Sequence, residues 1–260
     1  MTATTIPTHV RFGNLIKAES RKYVNTRAAL VLSILMAAVL AAVTIGAIAA
    51  YPDLTKVATG TNLQFLPLAM TSALTAIIVI LPVTSEWTQR GVLTTFVVEP
   101  RRERVIAAKA LVALGVVLTV WLAIQLSWAV FNAAGAAAQG LEASWEFHWT
   151  RWLGGIEVLL LNAAVAFALA LLLRNTALTI TVFVAAPVAM GALSQFGELL
   201  EKITAWLRSP GASLQTILST QKDGQTPDAT LWGQFTVGII LWIVVPLAIG
   251  LWLNHRAEAK

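Results

Sequence analysis

The side chains able to do chemistry are few in this chain, and most of the charged ones fall in one stretch. TSEWTQRGVLTTFVVEPRRERVIAAK, residues 84–109, carries Glu86, Arg90, Glu99, Arg101, Arg102, Glu103, Arg104 and Lys109 inside an otherwise apolar sequence. Mixed charges flanking apolar residues suit docking, because rim charges orient an interface whose apolar centre supplies the contact. Bond-making chemistry inside a membrane would need a nucleophile with its base, paired carboxylates or facing metal ligands. His9, His148 and His255 fall at predicted membrane edges, Asp53, Asp223 and Asp228 fall in predicted outer loops, and no cysteine occurs. No catalytic or metal-binding residue is therefore assigned. Glu157 is the single acid inside a predicted span, about five residues or 7–8 Å from its outer end, a depth suited to snorkelling or pairing near the interface. A G-x-x-x-x-G-K-[ST] phosphate loop does not occur, so no cofactor is expected on this chain and nucleotide hydrolysis is not expected here.

The elements that carry these residues follow from composition. Hydrophobic residues make up 57% of the 260 and charged ones 12%, which is the balance of a membrane protein. A helix needs about 20 mostly apolar residues to cross the hydrocarbon core. Six segments qualify, about 28–50, 63–83, 110–134, 152–173, 175–197 and 231–254, so the expected fold is all-α with a six-span transmembrane domain over 28–254. Residues 1–27 form a polar arm and 255–260 a short tail. The first span is too long, and too far from the start of the chain, for a cleavable signal peptide.

Orientation comes from the cations, since loops rich in lysine and arginine resist translocation. With the N-terminus inside, 13 of the 18 lysines and arginines lie in inner segments and five in outer ones. Both termini are then cytoplasmic, and the chain is expected to be a multi-pass protein of a cell membrane, inner or plasma. The basic balance is accounted for by topology and by anionic lipid, without nucleic acid. Trp145, Trp149, Trp152 and Trp232 sit at predicted membrane edges, where amphipathic rings favour the headgroup zone. Phe12, Leu15, Ile16 and Tyr23 fall near one side of a basic N-terminal helix, which rests on lipid, on a partner or on both. Between the fifth and sixth spans, Phe196, Leu199, Leu200, Ile203 and Leu207 share a face, as in a helix lying flat at the outer surface.

The charged stretch then lies in the cytoplasm between the second and third spans. SEWTQRGVLTTFVV forms a short helix with Trp87, Val92, Leu93, Phe96 and Val97 as its apolar surface, interrupted at Gly91 and stopped before Pro100. Two readings of the residues stand side by side: a helix that docks on a partner, or an amphipathic loop lying on lipid with arginines that serve topology alone.

An acid, then Gly91 and Leu93, Pro100 nine residues after the glycine, a basic cluster and Lys109 nine residues further on resemble the corresponding loop of type-2 ABC exporter permeases. The arm AESRKYVNTR is similar to the one preceding the first span in many members, and the likeness spans essentially the whole chain. The resemblance implies a transmembrane permease subunit whose loop is a coupling helix seated in a cleft of a separate nucleotide-binding subunit. Glu86, Arg90, Gly91, Leu93, Phe96, Pro100, Arg101 and Lys109 are the ATPase-coupling residues it implies. Gly91 would allow close backbone approach, Pro100 would end the helix, and Glu86 with Arg90 would make charged contacts. Thr94 departs from the family, which often has an acid directly after the glycine-threonine-leucine triplet. ATP and magnesium would reside on the partner, present in two copies beside a permease homodimer, and the cargo would leave the cytoplasm or inner leaflet.

The spans carry few polar side chains, among them Gln125, Asn132 and Asn162, which points to an apolar or amphipathic cargo or simply to helix-to-helix hydrogen bonds. Proline kinks at Pro67, Pro82 and Pro187 make the second and fifth spans candidates to line a route between two copies. The alternative from another class is a non-transporting membrane scaffold or assembly protein whose loop binds a partner.

Overall fold

The structure, a computed structural model, describes residues 11–50, 65–88, 101–143, 145, 149–222 and 224–256. Every regular element among them is helical. In chain order these are α1 (Phe12–Asn25), α2 (Arg27–Ala49), α3 (Phe65–Thr88), α4 (Arg102–Ala138), α5 (Trp149–Leu173), α6 (Thr176–Leu193), α7 (Glu198–Leu207), α8 (Pro210–Lys222), α9 (Ala229–Ile239) and α10 (Val245–Arg256). A π-helical segment, Ile240–Val244, joins α9 to α10 into one span, just ahead of Pro246, which has no N–H to give the helical ladder. Among the described residues, six helices are long and apolar enough to cross a membrane, so the chain is built as a multi-pass membrane protein.

Capping residues start three of these elements. Thr26, Asn175 and Asp228 accept hydrogen bonds from the backbone N–H groups of Ala29, Leu178 and Leu231 at 3.3, 3.0 and 2.8 Å, which satisfies donors that a helix leaves open in its first turn. Threonines within the spans satisfy themselves locally. Thr44, Thr71, Thr75, Thr84 and Thr179 each donate to the carbonyl four residues back, so none of these five hydroxyls is left bare in hydrocarbon.

Packing centres on α5, which touches α3, α4, α6, α8 and α10. Leu159, Ala166 and Ala170 of α5 meet Val79, Ile80 and Val83 of α3 and Val117 and Ile124 of α4, all at most 2% exposed. Small residues bring the backbones close, as membrane helices require. A Cβ added at Gly250 would lie 2.9 Å from the Leu171 Cβ and 3.0 Å from backbone atoms, and one added at Gly155 would lie 2.6 Å from the Trp121 ring. The periphery is looser: 56% of the α3 window is buried inside the chain against 6% for the fifth span, whose face is therefore left to lipid or to another chain. Pro67 and Pro82 are buried in this core, whereas Pro187 is exposed on α6.

Three boundaries differ from the sequence expectation. α3 runs unbroken to Thr88, so Ser85 to Thr88 are its last turn and do not open a separate helix. α4 begins at Arg102, eight residues before the expected third span, and its 37 residues make a helix about 55 Å long, well beyond the hydrocarbon thickness. The segment expected as a single outer surface helix holds two. α7 keeps Phe196, Leu199 and Ile203 exposed beside it, while α8 turns back onto α5 and α9 and buries Ser213, Leu214 and Ile217. Gly211 makes that return possible, since a Cβ there would lie 2.6 Å from the Asn162 side-chain oxygen. Trp242 Nε1 donates to the Leu207 carbonyl at 2.9 Å and so fixes the end of α7.

The arm α1 lies on α4, α2 and α3. Its apolar face is covered within the chain, with Leu15 and the partly buried Phe12 and Ile16 on Val105 and Ala108 of α4.

Candidate functional site

One end of the bundle collects the ends of α3 and α10, the start of α4, the α5–α6 corner and the whole of α1. Eleven of the fifteen lysines and arginines among the described residues lie at this end. At its centre are Glu19 and Lys22 from α1, Glu86 from the last turn of α3 and Lys109 from two turns into α4. Lys109 Nζ is 2.9 Å from Glu19 Oε2, 2.9 Å from Glu86 Oε1 and 3.2 Å from the Pro82 carbonyl. Its three N–H donors thus have three acceptors. Lys22 Nζ donates to Glu19 Oε1 at 2.7 Å and also to Glu86 Oε1. Two carboxylates and two ammonium groups alternate, and their charges cancel.

Burial makes this cluster consequential. Glu19 is 1% exposed and Lys109 4%; charges so far from water persist only when paired and hydrogen-bonded. Burial works to lower the Lys22 pKa, but the hydrogen bonds and charges of Glu19 and Glu86 prevail and hold it above the ordinary lysine value. Burial, and then the Glu19 charge, raise the Tyr23 hydroxyl's pKa as well. Lysine ammonium groups neutralise both carboxylates, so the group holds helices together and offers no free acid or base.

A second contact set ties the same end to the α5–α6 corner and to α10. The Arg174 guanidinium stacks 4.2 Å from the centre of the Trp87 ring, Thr84 and Thr176 share a hydrogen bond of 2.8 Å, and Arg102 donates to the Asn254 carbonyl. His255 and Glu103 are 3.5 Å apart but exposed, a pair worth little on its own.

Of the eight residues singled out in the sequence, Glu86, Arg101 and Lys109 are described here, and Arg90, Gly91, Leu93, Phe96 and Pro100 lie outside the described residues. Glu86 and Lys109, 23 positions apart, meet directly, whereas Arg101 is exposed at the start of α4. Glu86 has two lysine partners within its own chain. Sequence reasoning missed Glu19 and Lys22, although one signal was there: Glu19 lies in the middle of the apolar stripe of Leu15, Ile16 and Tyr23, a place where an unpaired acid would be expelled.

No family model, curated protein or solved structure matches this chain.

Proposed function

We propose that this chain is the membrane-spanning permease subunit of an ATP-driven exporter, of the kind its loop resembles, working as a homodimer with two separate nucleotide-binding chains. The basic end of the bundle is then cytoplasmic, by the positive-inside rule, and the cargo is apolar or amphipathic. The observation that carries the reading is the buried cluster. Residues 89–100 join α3 to α4, and Glu86 and Lys109, on either side of that segment, are locked to each other and to the arm. A loop whose two roots are one rigid, charge-neutral unit is suited to receive a push and pass it to several spans at once. A loop serving only as a topology signal needs no such foundation.

The test is assembly and turnover with co-expressed ABC-type ATPases of the source genome. Leu93→Ala and Phe96→Ala should each weaken co-purification by about 1–3 kcal/mol of lost apolar contact, and ATP-dependent export of a fluorescent amphiphile from proteoliposomes should fall with it. Normal ATPase retention and normal export in both variants would refute the coupling role. Retention of a partner with no ATP-dependent movement of any amphiphile would make the chain a scaffold.

A further inference from the structure

The end of the bundle opposite the basic cluster is entered by a hairpin made of α7 and α8. Two close approaches fix its depth. A Cβ added at Gly211, in the first turn of α8, would lie 2.6 Å from the Asn162 side-chain oxygen. Asn162 stands ten residues, roughly 15 Å, below Trp152, at the middle of a span of 22 residues. A Cβ added at Gly238 would lie 2.9 Å from the Arg208 carbonyl oxygen, and Gly238 stands nine residues inside the last span, which begins at Ala229. From its turn α8 climbs along α5, so that Leu218 meets Gly154 near the Trp152 end. The turn from Arg208 to Pro210 therefore lies near half depth in the membrane.

That turn carries a cation. Arg208 is half-buried, its Nη1 donates to Thr216 Oγ1 at 3.2 Å, and no ion pair among the described residues includes it. One neutral hydroxyl compensates poorly for a guanidinium with five N–H donors. Ionisable residues inside a span are costly, and they mark the paths of substrates and ions.

A second group beside it is also unanswered. Ser213, Thr216 and Thr220 share one face of α8, opposite the face of Gly211 and Leu218 that packs on α5. Thr216 and Thr220 donate to the carbonyls four residues back. Ser213 does not: it is 4% exposed, and its Oγ has no partner. A hydroxyl in that state has given up water and gained nothing in return. It sits one turn from Thr216, the residue that holds the guanidinium. The hairpin supplies an apolar surface as well, since Leu199, Ile203 and Trp206 of α7 are 72%, 47% and 41% exposed.

We propose that Arg208, with the hydroxyls of Ser213 and Thr216, binds the oxyanion head, carboxylate or phosphate, of an amphipathic cargo whose chain lies on α7. Guanidinium forks match such oxygens two at a time, and the Ser213 hydroxyl adds a donor. The word cargo rests on the exporter reading, whereas the binding chemistry does not.

Binding of decyl phosphate, decyltrimethylammonium and inorganic phosphate to the full chain in nanodiscs of neutral lipid, read against empty nanodiscs, tests the site. Decyl phosphate should saturate, and the other two should bind about tenfold more weakly or not at all. Arg208→Gln should weaken decyl phosphate by about tenfold or more, and Ser213→Ala by about threefold to tenfold. Ser213→Ala breaks no hydrogen bond within the chain, so it should unfold as the parent does. Gln215→Ala, exposed on α8, should stay within about twofold. Parent-like binding in Arg208→Gln or in Ser213→Ala would overturn the site, as would an equal loss in Gln215→Ala or no binding of any probe. Decyltrimethylammonium binding as tightly would overturn the oxyanion head, and inorganic phosphate binding as tightly would overturn the amphipathic cargo. Saturable binding that depends on Arg208, without ATP-dependent movement of decyl phosphate in proteoliposomes, would support the site and overturn the exporter reading alone.

Discussion

Replacing Lys109 by methionine keeps most of the side chain's length and removes its charge. Glu19 Oε2 then loses its lysine, Glu86 keeps Lys22 alone, and the cluster carries a net charge of about −1 in a site shut off from water. The side chains of Lys109 and Glu19 are 5% and 2% exposed, so solvent cannot take over the lost interaction. Removing one partner from a buried pair costs about 3–5 kcal/mol. Lys22 is different: its side chain is 34% exposed, and Lys22→Met should cost only about 1 kcal/mol after allowance for screening. The order Lys109→Met well above Lys22→Met follows from geometry, since both lysines contact the same two acids.

Unfolding in mixed detergent and SDS micelles, followed by circular dichroism, measures the cost. Trypsin cleavage at Lys17 and Arg21, both on the exposed side of α1, reports whether the arm is released. Adding Glu19→Gln to Lys109→Met restores neutrality with similar shape, and the double variant should recover most of the lost stability, a coupling that a double-mutant cycle reads directly. Parent-like unfolding and arm cleavage in Lys109→Met would refute the view that the cluster holds the arm, as would a double variant whose losses simply add.

Single cysteines placed at Ser20, Thr88 and Thr220 of this cysteine-free chain should be labelled by an impermeant thiol reagent in intact cells at Thr220 alone; labelling at Thr88 instead would invert the topology. The raised pKa of Lys22 sets a pH limit on the arm. That stabilisation is complete below the unfolded value of about 10.4, is lost as pH rises through the higher folded value, and acts in the same sense as Tyr23; arm cleavage by an alkali-tolerant protease should therefore rise above about pH 10 and stay flat from there down to neutral pH. Gly250→Ala should destabilise the α5–α10 contact by about 1–3 kcal/mol because the added methyl meets Leu171 backbone, whereas Gly115→Ala, with nothing within 4 Å, should be neutral or slightly stabilising in the same unfolding assay.

The six spans were legible because an apolar run of about 20 residues with at most one charge has few other uses. Their ends were not, and α4 shows why. Hydropathy locates the hydrocarbon, but a helix need not stop at its edge, and Arg102 to Ala108 continue the third span as two turns with α1 packed on Val105 and Ala108. The return of α8 was hidden for another reason: PGASLQTILSTQK has neither the length nor the apolar density of a span, and what lets it enter lies in other segments, with Leu218 seated against Gly154 and the Asn162 side chain against Gly211. The charged stretch singled out Glu86 and Lys109, yet their meeting with Glu19 was hard to foresee, since Glu19 and Lys109 are 90 positions apart and only the place of Glu19 in the apolar stripe of α1 hinted at a partner.

If the loop is where force enters, the cluster also decides where the spans can give way. Pro82 deprives α3 of one backbone donor, which is an ordinary place for a helix to bend. Here the Pro82 carbonyl is held by Lys109 Nζ, and the turn that follows is held through Glu86. Bending at Pro82 would break a buried ion pair, so α1, the end of α3 and the start of α4 move as one body. Compliance then falls to helices with less to lose. The fifth span, 6% buried with Pro187 exposed, and the sixth, 17% buried with its π segment at Ile240–Val244 before Pro246, are the ones whose backbone bonds are already irregular and whose neighbours are few. On this reading a push delivered to α3 and α4 passes through the packed centre on α5 and is absorbed as a tilt of α6 and α10, on the side of the bundle that lipid or a second copy must cover.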